Sequence, residues 1–412
     1  MIQGLPRRPM PEFSPTDGIF DRPEVLSEDY IPNEILGRDD ELETYKQALQ
    51  PIMNARRAKS ILLYGKTGVG KTVITRYLID HLKRDIKEHR DIDLETVWIL
   101  CENVNTSYQL SAAITNSLRP PDDHVNPTGY PAEQMYQMMY RELNEVGEHV
   151  VVVLDEVDNV DSDDKLLYEL PRARANNRLE DTRITVIGIS NDLKFTDNLR
   201  QKVKSSLAQR ELQFPPYNAT ELREILYSRA EKAFEDNVLT DDVVPLCSAI
   251  AAQDSGDARQ ALDLLSEAGN IAQRYDTDTV NESHVREAQD SLEHDLIANS
   301  INDLTTQGKL VLCSILSMHH DGKTPARSRE IYTIYQEFAN LIDADTVTQR
   351  RLRDHLGSLE MQSLLVGETV NTGRQEGRYK QYRPYIDTHD ALDQLDSDDR
   401  IEDVVEIARA SS

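Results

Sequence analysis

The fold of this chain is decided by the stretch Ile61-Leu-Leu-Tyr-Gly-Lys-Thr-Gly-Val-Gly-Lys-Thr72. The apolar start predicts a buried strand, and the Gly-x-x-x-x-Gly-Lys-Thr pattern that follows predicts a phosphate-binding loop leading into a helix. Glycines let such a loop curl so that several N–H groups point at a triphosphate, while the helix presents its positive dipole end to the same charge. The candidate contacts are Gly65, Lys66, Thr67, Gly68, Val69, Gly70, Lys71 and Thr72.

The other half of such a site follows a second apolar stretch, His149-Val-Val-Val-Val-Leu-Asp-Glu156. A continuous β-branched run is typical of a strand that is covered on both faces, and this one ends in two carboxylates. We expect Lys71 to reach the β- and γ-phosphates and Thr72 and Asp155 to hold Mg²⁺. Glu156 is the candidate catalytic base that polarises the attacking water. The sequence therefore predicts ATP or ADP with Mg²⁺ as cofactors.

A third strand, Ile184 to Ser190, ends at Asn191, which is placed to hydrogen-bond the attacking water or the γ-phosphate. Strands that alternate with helices predict an α/β domain with a parallel, doubly wound sheet, whose polar groups all lie at one edge. Tyr30 and Ile31 precede the first helix and are candidates to close over the adenine, with ordinary packing as the alternative. Tyr217 is a further candidate nucleotide contact.

The chain beyond Tyr217 is helical as far as about Asp295, which predicts a small all-α domain. Asn218 and Glu221 form a capping-box pattern at its start. Arg259, which opens a later helix, has two interpretations. It could form a surface salt bridge, or it could place its guanidinium on the γ-phosphate, so that the nucleotide state sets the domain angle.

Three helices followed by a β-hairpin predict a winged helix near the C-terminus. The third helix, predicted to begin at Asp345 or Thr346, would enter a DNA major groove, and the hairpin tip would enter a minor groove. A winged helix that contacts only protein is the alternative. The candidate DNA contacts are Gln349, Arg350, Arg351, Arg353, Arg374 and Arg378. The predicted divisions are a disordered arm 1–25, a nucleotide-binding domain 26–216, a helical lid 217–298, a winged helix 299–390 and an acidic tail 391–412.

Composition excludes few functions. Asp and Glu number 73 against 46 Lys and Arg, a net charge of −27 that by itself argues against a nucleic-acid partner. The acid excess is spread along the whole chain, however, which is typical of adaptation to a salty cytoplasm, where charges are strongly screened. Three scattered cysteines indicate neither a disulfide framework nor a zinc site. No apolar run approaches membrane-spanning length, so we expect a cytoplasmic protein.

With these parts in place, the sequence resembles the archaeal replication-initiator family between about Phe20 and Tyr385. These are AAA+ P-loop NTPases akin to the first subunit of the eukaryotic origin recognition complex and to the cell-division-control helicase loader. The motifs specific to the family are Ile187-Gly-Ile-Ser-Asn191 and Phe214-Pro-Pro-Tyr217, and Gly256-Asp-Ala-Arg259 also matches. The resemblance implies the sensor-one role for Asn191, the sensor-two role for Arg259, and a DNA-contacting insertion within 105–131.

The resemblance also implies a function: an ATP-dependent initiator that binds repeats in double-stranded origin DNA and helps recruit or load the replicative minichromosome-maintenance helicase. Its ATP would act as a switch with slow hydrolysis, and copies or paralogues of the chain would be partners. The family usually has Arg before Val203-Lys-Ser-Ser-Leu207, but this chain has Lys202, so the choice of trans-acting residue among Lys202, Arg200 and Arg210 stays open. The alternatives are a transcriptional or mobile-element regulator and an AAA+ remodeller that does not bind DNA.

Overall fold

The computed structural model describes residues 18–161, 165–371 and 378–410. The chain forms two compact units, which divide between Ala288 and Gln289. Within the described ranges, the helices all lack the long apolar stretch that crossing a bilayer requires.

The first unit is built on a five-stranded parallel sheet with the strand order β2-β3-β4-β1-β5. The strands are β1 Ile61–Tyr64, β2 Leu94–Leu100, β3 His149–Asp155, β4 Arg183–Ser190 and β5 Arg210–Gln213. Tyr64 lies opposite Ser190, and Leu100 lies opposite Asp155, so neighbouring strands end level with one another. This register confirms the predicted doubly wound sheet and brings the phosphate-binding loop, Asp155 and Asn191 to one edge.

Helices cover both faces of this sheet because successive residues of each strand point to opposite sides. Val151 and Val153 pack with the helix before β1 and the helix after it, whereas Val150 and Val152 pack with the helices between β2 and β3. The helices are α1 Asp39–Met53, α2 Lys71–His89, α3 Ser107–Ser117, α4 Ala132–Glu145, α5 Lys165–Glu169, α6 Phe195–Asn198 and α7 Gln201–Leu207. Short 3-10 helices span Pro23–Leu26, Pro121–Asp123, Val157–Asn159 and Leu170–Arg172.

Four longer helices follow the sheet, as predicted for the lid: α8 Ala219–Ala233, α9 Val243–Asp254, α10 Ala258–Arg274 and α11 Glu282–Asn302. The predicted capping box is present, since Asn218 Oδ1 accepts from the N–H of Glu221 at 3.1 Å and Glu221 Oε2 accepts from the N–H of Asn218 at 2.8 Å. Asp257 caps α10 in the same way, its side chain accepting from the N–H groups of Arg259 and Gln260.

The end of the predicted arm differs from expectation. Residues 1–17 lie outside the described part, but Phe20 packs its ring 4.8 Å from that of Phe234. The N–H groups of Asp21 and Arg22 donate to the carbonyl of Ala233 at 3.0 and 3.1 Å. Residues 18–25 are therefore anchored on the lid by backbone hydrogen bonds and aromatic contact, which the polar, Pro-containing sequence did not indicate.

The second unit contains the predicted winged helix. Its elements are α12 Thr306–His320, β6 Ala326–Arg327, α13 Ser328–Leu341, α14 Gln349–Met361, β7 Leu365–Asn371, β8 Arg378–Pro384, α15 Thr388–Leu395 and α16 Glu402–Ala410. The antiparallel sheet has the order β6-β8-β7. α14 begins at Gln349, later than predicted, because Thr348 caps it and the preceding N–H, that of Val347, is held at 2.8 Å by the hydroxyl of Tyr335.

Residues 391–412 were predicted to form an acidic tail, and the structure differs there for the described residues up to 410. α15 and α16 bury Leu392, Leu395, Val404 and Val405 in the same core as the winged helix. Lys309 Nζ also lies 2.8 Å from a carboxylate oxygen of Asp398, in a nearly buried ion pair. Apolar burial thus makes this segment part of the second unit's core.

Candidate functional site

The phosphate-binding loop joins β1 to α2 and lies at the carboxyl edge of the sheet. Gly68 and Gly70 have φ angles of +69° and +92°, in the left-handed region that glycine adopts readily. A Cβ at Gly70 would also come within 2.8 Å of the hydroxyl of Tyr217, and one at Gly65 would collide with the carbonyl of Phe214. The backbone conformation of this loop is therefore suited to a triphosphate, and it disfavours any side chain at these glycine positions.

Lys71 lies across this loop. Its Nζ donates to the carbonyls of Gly65 at 2.8 Å and Lys66 at 2.6 Å, and to Oδ1 of Asn191 at 2.9 Å. Burial lowers the pKa of Lys71 to about 8. Two predicted site residues from different strands are thus in contact, and an ammonium held at the loop is placed to meet phosphate oxygens.

Thr72 and Asp155 form an adjacent pair of oxygen donors. The Thr72 hydroxyl lies 3.3 and 3.2 Å from the two carboxylate oxygens of Asp155. Burial raises the pKa of Asp155 above its usual value. A hydroxyl beside a carboxylate is the kind of oxygen set that Mg²⁺ takes, together with waters and phosphates, so these residues fit the predicted ion. When bound, Mg²⁺ would neutralise charge on the β- and γ-phosphates.

Glu156 follows β3 in the left-handed region, with φ +55°. Its carboxylate accepts from the side-chain amide of Asn159 at 3.3 Å. Burial first, and then the charges of Asp155, Asp158 and Glu102, raise the pKa of Glu156, which suits a group that accepts a proton.

Asp158 lies in the short acidic stretch that follows β3. Its Oδ1 accepts from the backbone N–H of Asn191 at 3.3 Å, so it helps to hold the end of β4.

The lid contributes Arg259 to the same cleft, and Asp257 lies against the phosphate-binding loop. Arg259 Nε lies 3.2 Å from Glu28 Oε2, and both side chains line the cleft. The N–H of Ala258 donates to the carbonyl of Gly68 at 3.1 Å, so the start of α10 is bonded directly to the phosphate-binding loop. A Cβ at Gly68 would overlap the Asp257 carboxylate. Arg259 therefore forms the salt bridge of the first interpretation and also lines the cleft, while the contact with a γ-phosphate stays a prediction.

The other end of the cleft is more apolar. Its lining includes Tyr30, Pro32, Ile35, Leu36, Tyr217 and Ile225. Tyr30 packs its ring 4.4 Å from the guanidinium carbon of the buried Arg229. Ile31 is 37% exposed and does not line the cleft, whereas Tyr30 does. Contact between adenine and either residue stays a prediction. Gly65, Lys66 and Val69 also lie outside the lining, whereas Thr67 belongs to it.

Sequence reasoning missed Arg38. This side chain is only 2% exposed, its Nη2 donates to the carbonyl of Pro215 at 2.5 Å, and its Cζ lies 3.6 Å from the centre of the Tyr217 ring. It therefore supports Tyr217 from beneath. A lone Arg before a helix gives no signal of burial, whereas Asp257 could have been found from its N-cap position before an apolar-periodic helix.

The candidate DNA surface of the second unit follows the amphipathic pattern of α14. Leu352, Leu356 and Leu359 are fully buried. The exposed side carries the predicted contacts Gln349, Arg350, Arg351 and Arg353. Arg378 is exposed at the start of β8, and Arg374 lies outside the described residues. In the first unit, Arg200, Lys202 and Arg210 are all exposed, so burial does not select among them.

Comparison with known proteins covers nearly the whole chain. Family models match residues 54–194 as an AAA domain, 223–290 as a Cdc6 AAA+ ATPase-type lid domain and 299–394 as the C-terminal winged helix domain of CDC6. ORC1-type DNA replication protein 11 of Haloarcula marismortui is 47% identical over 372 residues, which are 90% of this chain and 89% of the relative. This chain belongs to the ORC1-type DNA replication protein family.

Other ORC1-type proteins extend the match. The Pyrococcus furiosus protein is 38% identical over 396 residues, covering 95% of this chain and 93% of the relative. The solved structure of the Aeropyrum pernix ORC1 protein in complex with DNA superposes with a TM-score of 0.83 at 34% identity, covering 94% of this chain and 99% of that one. The predicted resemblance and the AAA+, lid and winged-helix architecture are confirmed.

Proposed function

We propose that this ORC1-type protein is an ATP-dependent replication initiator that binds repeats in double-stranded origin DNA and helps recruit or load the replicative minichromosome-maintenance helicase. The observation that carries the proposal is the superposition on Aeropyrum pernix ORC1, a protein solved with DNA, over 94% of this chain. A match of this extent includes both the nucleotide cleft and the winged helix, which supports a function that uses ATP and DNA together.

ATP serves as a switch more than as fuel. Lys71, Thr72 and Asp155 hold the phosphates and the ion, while Arg259 approaches from the lid. Because Ala258 is hydrogen-bonded to Gly68, a phosphate in the loop acts directly on the start of α10. Glu156 accepts a proton from the attacking water, and the Asn191 amide orients that water. Slow hydrolysis then ends the ATP-bound state.

DNA is read by the exposed side of α14 in the major groove, and by Arg378 and the predicted Arg374 in a minor groove. A protein with about five phosphate contacts loses on the order of four decades of affinity for a tenfold rise in salt. In a salty cell, recognition therefore depends on base edges, groove shape and apolar contact.

Other copies or paralogues of the chain are proposed partners on the DNA. Lys202 occupies the position where the family usually has Arg, and an ammonium cannot form the planar, bidentate contact of a guanidinium. We therefore propose hydrolysis that is slow and does not depend on a neighbour's arginine.

The test is a nuclease footprint on the chromosomal DNA next to the gene, in molar KCl, with ATP and with ADP. We expect protection of a repeated element, with Lys71→Ala as the control that lacks nucleotide. Absence of any protected element would contradict the proposal and favour a remodeller.

Helicase recruitment needs a separate measurement. Purified minichromosome-maintenance helicase is added to the protein bound on the protected DNA and then washed. Retention that requires the protein supports the initiator, whereas protection without retention favours a transcriptional or mobile-element regulator.

A further inference from the structure

The edge of the sheet where the parallel strands begin, opposite the nucleotide cleft, carries clustered cationic side chains. His149 at the start of β3 lies opposite Arg183 at the start of β4. Ile61 lies opposite Ile187, so continuing this register backwards by four residues brings Arg57 level with Arg183. The basic edge, as we name this cluster, consists of Arg57, Arg172, Arg174, Arg183 and His149.

The side chains of the basic edge lie close enough to shift one another's pKa values. A guanidinium N–H of Arg57 donates to the carbonyl of Pro171, which places it beside Arg172. Burial, and then the charge of Arg172, lowers the pKa of Arg57. Burial first, then Arg183 and more weakly Arg174, lowers the pKa of His149, against the opposite effects of the Ala55 backbone and of Glu148. Like charges have thus been brought close enough to repel.

Among residues 18–161, 165–371 and 378–410, none of the four guanidiniums lies within 4.0 Å of a carboxylate, so these arginines form no ion pairs there. Glu148 acts on His149 only from beyond that distance. The buried Nε of Arg172 and both ring nitrogens of His149 lack hydrogen-bond partners. The Ala55 backbone lies near the His149 ring but not in hydrogen-bonding geometry.

Buried polar atoms in folded proteins nearly always have hydrogen-bond partners, which can be protein groups, bound water or a bound ion. The chain has 73 acidic residues, so an unpaired group of arginines is not explained by composition. An anion bound at the exposed guanidiniums of Arg57 and Arg174 and the half-buried guanidinium of Arg183 would offset the repulsion between the arginines. The atoms of Arg172 and His149 that lack partners are enclosed by protein and would not contact it.

We propose that the basic edge binds phosphate groups of the DNA backbone. Guanidinium groups match the oxygens of a phosphate in bidentate fashion. The basic edge lies at the opposite ends of the strands from the phosphate-binding loop, so DNA can bind there without occupying the cleft. The DNA source of the phosphate rests on the proposed function, whereas the phosphate chemistry does not.

The experiment compares two triple variants with the same change of charge. The first is Arg57→Gln, Arg174→Gln and Arg183→Gln, which leaves the more buried Arg172 and His149 in place. The control is Arg141→Gln, Arg274→Gln and Arg286→Gln, because each of these exposed arginines is paired with a glutamate. The unfolding temperature is measured against inorganic phosphate at constant ionic strength, with the nucleotide cleft saturated by a non-hydrolysable ATP analogue and Mg²⁺ so that the phosphate-binding loop is filled. The affinity for duplex DNA is measured against KCl concentration.

We expect phosphate to raise the unfolding temperature of the wild type and of the control, but not of the first variant. The slope of log K against log salt should become shallower by about 2 to 3 in the first variant only, since each lost phosphate contact contributes about 0.9. The first variant could lose the stabilisation by inorganic phosphate and still show the wild-type slope of log K against log salt for DNA. That result would show that the basic edge binds phosphate and would overturn the proposal that the phosphate belongs to DNA.

If both variants lose phosphate stabilisation and salt dependence of DNA binding equally, the effect comes from net charge alone and the proposal is overturned. The proposal is also overturned if neither variant loses either property. Stabilisation by polyglutamate but not by phosphate would assign the basic edge to an acidic protein partner and also overturn it. If the wild type binds no DNA, the proposed function fails, while the phosphate titration still decides whether the basic edge binds phosphate.

Discussion

At the scale of single residues, the cleft disfavours the charged forms of the groups that handle phosphate. Burial lowers the pKa of Lys71 and raises the pKa of Asp155 and Glu156. For Lys71 and Asp155, the shift in pKa runs against the charge that the group needs in order to bind phosphate or Mg²⁺. Binding therefore restores charge, and the nucleotide site should be sensitive to pH.

Lys71 gives the clearest pH dependence. Its pKa is about 8 in the nucleotide-free protein against 10.5 ordinarily, and phosphate favours the protonated form. We expect the ATP association constant to fall as the pH rises above about 8, approaching tenfold per pH unit, because binding then requires proton uptake. Fluorescence titration from about pH 7 to about pH 9.5 measures this.

Lys71→Arg is the control, because a guanidinium stays protonated throughout that range. Its ATP affinity should be lower and independent of pH, and an equally flat wild-type profile would contradict the assignment. In the absence of nucleotide, Lys71 makes the free energy of unfolding increase with pH, whereas ATP affinity decreases with pH. The unfolded chain holds the proton between pH 8 and 10.5 while the folded chain does not, so stability rises with pH in that window.

Glu156→Gln tests the catalytic base. We expect ATP affinity within about twofold of the wild type and turnover reduced by a factor of about 100 or more, since the amide cannot accept a proton. Steady-state phosphate release and equilibrium ATP binding measure the two effects. Glu102→Gln removes a nearby charge without removing the base, so its turnover should persist, and persistence in Glu156→Gln as well would sink the assignment.

At the scale of elements, amphipathic spacing accounts for α14 well. Leucines at positions 352, 356 and 359 are buried in the winged-helix core, which leaves the arginines of the first turns in solvent. Since side chains three and four residues apart share a face, this division follows from the sequence. The start of α14 did not follow from it, because the choice between Asp345 and Gln349 depends on the Thr348 cap and on the hydroxyl of Tyr335.

Arg350→Ala tests whether α14 reads bases. Loss of a bidentate base contact should cost about 1 to 3 kcal/mol on the preferred repeat and little on random DNA of the same length. Anisotropy titration on both duplexes at one salt concentration gives the comparison. An equal loss on both duplexes would show that Arg350 only touches phosphate, and His320→Ala, at the end of α12, controls for general effects on the unit.

At the scale of the whole molecule, charge is the dominant feature. A net charge of −27 opposes both compactness and DNA binding at low salt. Relatives from Haloarcula marismortui and Halobacterium salinarum agree with the expected adaptation to a salty cell. Where carboxylates repel in excess, screening stabilises the folded chain.

We therefore expect the unfolding temperature to rise between about 0.1 M and 1 M KCl, as the Debye length falls from about 10 Å to about 3 Å. Differential scanning calorimetry without nucleotide measures it. Sucrose at the same osmolality is the control, since it strengthens burial without screening charge. A rise that sucrose reproduces in full, or a fall with KCl, would show that repulsion between carboxylates does not limit stability.

The sequence by itself determined the phosphate-binding loop, the strand ends at Asp155 and Asn191, the lid and the winged helix. These features rest on local patterns: glycine spacing, β-branched runs, caps and helical periodicity. Only the tertiary structure decided that Glu28 meets Arg259, that Arg38 supports Tyr217, that residues 18–25 pack on the lid and that α15 and α16 belong to a core. Each of these depends on contacts between residues far apart in the chain, or on apolar residues too sparse among acidic neighbours to produce a periodic signal. Local backbone preference fixes elements, whereas burial and charge pairing across the fold complete the site.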